Sequence, residues 1–332
     1  MRISTNSIVR NYRTNLGKST ARMNESREKV LTERKFTRAS QDPAGANKAF
    51  QLRREYLKNE DYISNIGVAQ GQLSATESSL MQINEMGKTV KADLLRAMSE
   101  STSLEGRTAI AQSFEETAES IVMSMNTRYG DKFLFGGAST KEAPFELKEG
   151  ALYYRGINVN TTNEDDLEKL KAMSEETNYL DIGFGLQQDA SGDVVKGTAY
   201  NLSNPGISTL GYGVNEEGIS QNMVTLLMDM AKELRNENFD TAKIDKMNSQ
   251  LEKNHNTNLD KITQLGSTSK FLEDTESRLE DSRINLNEKM AAVESVDMAE
   301  ALTEFSWAEY AYNAALKVGN SILSQSFIDF MR

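Results

Sequence analysis

The chain has 332 residues, a formal net charge of −11, no cysteine, three prolines and an aromatic content of only 7%. Those numbers exclude a disulfide framework, a thiolate nucleophile and a cysteine-built metal site. They also argue against nucleic acid as a partner, because a phosphate backbone calls for a basic surface.

The charge is uneven: residues 1–60 carry 14 Lys and Arg against 6 Asp and Glu, a local +8, which leaves −19 for the remainder. A basic amphipathic helix at this end can lie on a membrane or pack against acidic helices of its own chain or of neighbours. The opening MRISTNSIVRNY has no apolar run long enough for a cleaved secretory signal. No stretch approaches the ~18 apolar residues of a bilayer span, so membrane insertion is not expected.

The first predicted element repeats Val9, Leu16, Met23 and Val30 at seven-residue spacing, with Tyr12 one turn from both Val9 and Leu16. This helical seam breaks at SQDPAG. Asp42 before Pro43 has the chemistry of a helix start, a carboxylate to cap free N–H groups and a proline at the first helical position. The strongest periodic signal follows. Ile66, Leu73, Leu80, Gly87 and Leu94 share one heptad position, and Ala69, Thr76, Ile83, Val90 and Ala97 a second. A helix over about 44–100 would be roughly 85 Å long at ~1.5 Å per residue. A further helix carries Phe114, Ala118, Ile121 and Met125.

The middle of the chain is different. Residues 130–215 are glycine-rich and hold two of the three prolines. LYYRGINVN alternates Leu152 and Tyr154, then Ile157 and Val159, around Arg155–Gly156, a pattern for short strands joined by a turn. NEDDLEKLKAMSEE suits a brief helix, while SNPG and LGYG read as turns. This region reads as a small β-rich insert facing outward with few shared contacts. Its deletion over 150–212 is expected to be tolerated better than alteration of Leu73 or Leu279.

Helical periodicity then resumes. Val224, Leu227, Ala231 and Leu234 form a short seam. Ile244 and Leu251 lead through a polar Asn258 into Leu265, Leu272, Leu279, Leu286 and Val293. A last helix begins after Val296–Asp297 with Ala301, Phe305, Ala308 and Tyr312. It carries two adjacent apolar stripes, Ala308–Ala315–Ile322 and Leu316–Leu323–Phe330. Something must cover them, and the opposite end of the chain is the natural partner. Gly17, Ser19, Gly319 and Ser326 read as weak points in that pairing.

Chemistry is hard to find. His255, the one histidine, sits in a polar helical stretch and reads as a solvated surface side chain. The glycines of DIGFG lack the helix and third glycine of a dinucleotide loop, and NEDDLE lacks EF-hand spacing. No catalytic, cofactor-binding or metal-binding residue is expected, and the chain is read as no enzyme. Trp307 and Tyr310 are either ordinary helix packing or interface anchors. Phe133 and Phe135, before Gly136–Gly137, are either a plug closing a domain boundary or a contact for a neighbouring subunit.

Four stretches carry a family resemblance. ASQDPAGANKAFQLRRE resembles the N-terminal signature of bacterial flagellins and their relatives, with its Ser-x-Asp-Pro-Ala-Gly-like loop. YGDKFLFGGASTKEAPF, residues 129–145, resembles a hallmark of the hook–filament junction proteins of that family, which filament flagellins generally lack. VDMAEALTEFSWAEYAYNAAL and ILSQSFIDFMR resemble the family C-terminus. The resemblance covers about 1–145 and 220–332.

The resemblance implies a mainly α fold, an elongated flagellin-like bundle of long antiparallel helices with a small inserted β-rich domain. The expected domains are a terminal helical assembly domain (1–40 and 297–332), a long-helix bundle (41–148 and 216–296) and an inserted outer domain (149–215). The implied role is a structural adaptor of the flagellum, located outside the cell and exported without a cleaved signal, with flagellin itself as the alternative. The implied partners are hook-associated protein 1, flagellin, neighbouring copies in a ring and a flagellar export chaperone. The residues expected at interfaces are Val9, Leu16, Met23, Phe133, Phe135, Trp307, Tyr310, Leu316, Leu323, Phe327 and Phe330.

Overall fold

The computed structural model describes residues 2–99, 102–148, 150–195, 197–237 and 240–330, with side chains described between Ser7 and Ser321 of those stretches. In chain order the elements are α1 (Arg2–Thr32), α2 (Pro43–Ala97), α3 (Leu104–Met125), β1 (Arg128–Tyr129), β2 (Lys132–Phe133), β3 (Phe145–Lys148), β4 (Ala151–Tyr154) and β5 (Ile157–Asn158). Then follow α4 (Glu164–Ser174), β6 (Tyr179–Leu180), β7 (Tyr200–Asn201), α5 (Gly206–Leu210), α6 (Met223–Leu234), α7 (Thr241–Glu294) and α8 (Met298–Phe330). The fold is mainly helical, with long antiparallel helices and a small inserted sheet region, as the sequence predicts. The chain forms two compact units, Met1–Glu60 with Asp281–Arg332, and Asp61–Glu280.

In the first unit, α2 starts where Asp42–Pro43 predicts. The Asp42 carboxylate accepts the Gly45 N–H at 2.9 Å, and its carbonyl accepts that of Ala46 at 2.9 Å. The chain leaves α1 through Glu33, whose φ of +58° turns it sharply. The loop is then laced to the end of α7. The Lys35 N–H donates to the Glu294 carbonyl at 2.8 Å, and the Val296 N–H to that of Glu33 at 3.1 Å. Arg53 Nη2 reaches both Glu294 carboxylate oxygens, at 2.6 and 2.7 Å. The Asp297 carboxylate caps α8 by accepting the Ala299 N–H at 2.8 Å.

Helices α1 and α8 pack together, and here one sequence expectation is corrected. Gly319 does not weaken the pairing; it makes room for it. A Cβ at Gly319 would fall 2.1 Å from Cζ of the Tyr12 ring, so that ring lies directly on the glycine backbone. Gly319→Ala is expected to unseat the Tyr12 ring, and alanine's helix preference of about 1 kcal/mol offsets part of the cost. A double-mutant cycle with Tyr12→Ala, followed by thermal melts, checks this. The two changes should be clearly non-additive, and additive losses would disprove the seat.

In the second unit, α2 and α7 run antiparallel. Gln70 Nε2 donates to Glu276 Oε2 at 2.9 Å, and Lys91 pairs with Glu252. The predicted heptads form the seam: Ile66, Leu73, Leu80, Ile83, Val90 and Leu94 are buried, as are Leu251, Leu265, Leu272 and Leu279. Asn258 keeps its place in that row at 2% exposure because its Nδ2 donates to the Leu80 carbonyl at 3.0 Å. A shorter pair, α3 with α6, buries Phe114, Ala118 and Ile121 with Val224, Leu227, Ala231 and Leu234.

The insert departs from expectation. β3, β4 and β5 form one antiparallel sheet in which Phe145 faces Tyr154, their ring centroids 4.9 Å apart. Its side chains do not stand apart from the helices. Phe145, Leu152, Tyr154, Val159, Leu170, Ile207 and Leu210 join Phe114, Ile121, Met125, Leu226 and Leu227 in one continuous buried cluster. A second contact lies along the long helices, where Ile182 packs with Ile66, Ala69, Leu272 and Leu279. The short strands are too small to bury their own apolar faces, so they share a core with the bundle.

Candidate assembly surface

The site expected from sequence was the terminal seam, and the structure resolves which stripe is covered. On α1, Val9, Leu16, Met23 and Val30 are half-buried at the predicted spacing. On α8, Ala301 and Gly319 are buried, and Phe305, Ala308, Tyr312 and Ala315 are half-buried. The small-residue stripe therefore meets α1, which allows the helices to approach closely. The stripe beside it stays open. Leu302 and Leu316 are exposed, as are Trp307 at 69% and Tyr310 at 70%. Leu302, Trp307 and Tyr310, with Thr303 and Ser306, shape a shallow depression on that face. The backbone of α8 continues as helix to Phe330. The side chains of Leu323, Phe327 and Phe330 lie outside the described residues.

The flanks of this face are charged. Arg10, Arg13, Lys18, Arg22 and Arg27 of α1 are exposed, and so are Glu300, Glu304 and Glu309 of α8. Lys29 of α1, half-buried, pairs with Glu304 of α8 at 3.2 Å, and near the surface this contributes about 0–1 kcal/mol. Among the described residues, no helix is long and apolar enough to cross a membrane, and no group of three or more His, Cys, Asp or Glu side chains could hold a metal ion.

Phe133 and Phe135 have different settings. Phe133 is half-buried on β2, with the Arg128 guanidinium 4.6 Å from its ring centre. Phe135 is 1% exposed, inside the shared core. Its carbonyl accepts the Tyr154 hydroxyl at 3.1 Å and the Gly206 N–H at 2.8 Å. That burial favours the plug reading for Phe135; Tyr154 is itself buried, which pushes its phenol far above its usual pKa. The turn after it is held by Glu176, whose carboxylate takes Arg155 Nη1 at 2.7 and 2.8 Å and the Ala138 N–H at 2.8 Å. Sequence reasoning missed Glu176, because nothing local distinguishes it within SEET. Tyr12 was legible by its helical spacing, but its glycine seat was not. His255 is also corrected: it is part-buried, not solvated, and its ring lies against Gly87.

The first helices and the segment through Phe135 lie within the region, residues 3–140, that matches the model of the bacterial flagellin N-terminal helical region. Flagellar hook-associated protein 3 of Salmonella typhimurium is 25% identical over 167 residues, which is 50% of this chain and 52% of the relative. Over those stretches the chain is similar to bacterial flagellins and to hook-associated protein 3. The match spans about half the length of that curated relative. Solved structures extend the likeness in fold. A putative flagellar hook-associated protein from Vibrio parahaemolyticus aligns over 77% of this chain and 100% of its own, at 19% identity and a TM-score of 0.60. Flagellar hook-associated protein 3 from Legionella pneumophila aligns over 73% of this chain and 98% of its own, at 9% identity and a TM-score of 0.56. In this chain Phe135, Gly136 and Gly137 of the FLFGG segment are buried, and Phe133 is half-buried.

Proposed function

We propose that this protein is a structural adaptor of the bacterial flagellum, a subunit that joins the hook to the flagellin filament. The observation that carries the reading is the open face of α8, where Leu302, Trp307 and Tyr310 stand uncovered around one shallow depression. Contiguous apolar surface of this kind marks a contact with another protein. Its kinship with hook-associated protein 3 supports the junction over the bulk filament, as does the FLFGG…APF segment at 133–145. In this reading neighbouring copies form a ring, hook-associated protein 1 lies on one side and flagellin on the other. An export chaperone covers the open face before the chain leaves the cell by the flagellar route. Val9, Leu16 and Met23 hold α8 in place. The work is shape complementarity without bond-breaking chemistry.

Deletion of the gene tests the proposal. Electron microscopy should find hooks that carry hook-associated protein 1 and no filament, with flagellin released into the medium. Filaments of normal number and attachment would overturn it. The alternative, a flagellin, predicts that the purified protein grows long filaments on seeds; the adaptor should not.

A further inference from the structure

The seam between α2 and α7 carries a cluster of buried asparagines. Its apolar rows are interrupted at Gly87 on α2 and at Asn258 on α7, which the antiparallel register brings to neighbouring levels. Asn84, Asn254 and Asn258 are all more than nine-tenths buried there. The side-chain oxygens of Asn84 and Asn258 and the amide nitrogen of Asn254 have no hydrogen-bond partner among the described residues. Unpaired buried polar groups each cost about 1–3 kcal/mol, whereas the buried hydroxyls of Thr76, Ser79 and Thr275 are paired with their own helix backbones, so this asparagine rung is a weak place in the seam.

The chain's single histidine sits at the same rung. A Cβ at Gly87 would lie 3.3 Å from His255 Nδ1 and 3.2 Å from Met223 Cε, so the imidazole and the Met223 methyl both occupy the space the glycine leaves. The charged groups around the ring are Glu85, Lys88 and Lys91 on α2 and Glu252 on α7 itself, while α6 presents Met223. The two carboxylates are already engaged: Glu252 pairs with Lys91, and Glu85 with Lys88 at 2.7 Å. A proton on the imidazole would therefore add a third cation beside two lysines, in a part-buried place with no acidic partner to spare.

We propose that this rung is an acid-sensitive joint, at which charge on His255 loosens the contact between α2 and α7 over residues 80–91 and 251–258. Burial first, then Lys88 and Lys91, lower the pKa of the histidine below its ordinary 6.5. The folded chain then binds that proton less well than the unfolded chain. The histidine's contribution to stability is thus complete above about pH 6.5 and is lost as the pH falls below it. This inference does not depend on the flagellar role.

The test uses the full-length chain labelled on histidine, whose one imidazole gives one titrating NMR signal. Its midpoint should lie below 6.5, and a midpoint at or above that value would overturn the joint. Amide exchange, corrected for its intrinsic pH dependence, should quicken at pH 5.5 relative to pH 7.5 across 80–91 and 251–258. The limit is about tenfold for each unit by which the midpoint is lowered. His255→Gln should abolish that acceleration and leave exchange elsewhere unchanged. An equal acceleration in the variant would also overturn the proposal. If the variant fails to fold, the titration and exchange of the unsubstituted chain decide the matter alone.

Discussion

Removal of residues 150–212 is expected to unfold the Asp61–Glu280 unit, the reverse of what an outward-facing insert suggests. The deletion takes Leu152, Tyr154, Val159, Leu170, Ile207 and Leu210 out of the cluster that also holds Phe114, Ile121, Met125, Leu226 and Leu227. Truncating one such side chain costs about 2–5 kcal/mol, and a whole domain is stable by only about 5–15 kcal/mol. Losing six together exceeds that margin. The carbonyl of Phe135 would also lose both donors, Tyr154 and Gly206. By comparison, Leu73→Ala or Leu279→Ala removes one buried side chain and should leave a folded, weakened unit. Circular dichroism and denaturant titration of the deletion variant check the expectation. A cooperative transition with the midpoint of the intact chain would show that the helices close their core alone.

Replacing Trp307 and Tyr310 together by serine is expected to abolish assembly while leaving the fold intact. Both rings are mostly exposed, so little packing within the chain is lost. An aromatic side chain buries about 150–250 Å² when covered. At ~25 cal/mol per Å² the pair is worth several kcal/mol to each contact it makes with a neighbour. Interface anchors of this type often cost ~2 kcal/mol or more each when truncated, about 30-fold in affinity. The variant should be exported, accumulate in the medium and fail to restore motility to a deletion strain. Its helix content and melting temperature should match those of the unsubstituted chain. Full motility would remove this face from the proposed lattice contact. A large fall in melting temperature would show that the rings serve the chain's own packing.

The long helices were legible in the sequence because their signal is local. A heptad row such as Ile66–Leu73–Leu80 or Leu265–Leu272–Leu279 exists before any partner is chosen, and it fixes which side of each helix is buried. Asp42–Pro43 and Asp297 set helix starts within a few residues, again through groups next to one another in the chain. LYYRGINVN set the β4–β5 hairpin by alternation and a turn. Tertiary structure decided what spacing leaves degenerate. The two stripes of α8 have the same period and lie side by side, so only docking on α1 could cover the alanines and leave Leu302 and Leu316 exposed. A glycine reads as a weak point until a ring such as Tyr12 lands on it, and a phenylalanine such as Phe135 reads as plug or contact until its burial is seen. Glu176 and His255 acquire their roles from Arg155, Ala138, Gly87 and Lys88, groups far from them in sequence. Periodicity along one helix says which face needs a partner; the three-dimensional path of the rest of the chain determines which partner arrives.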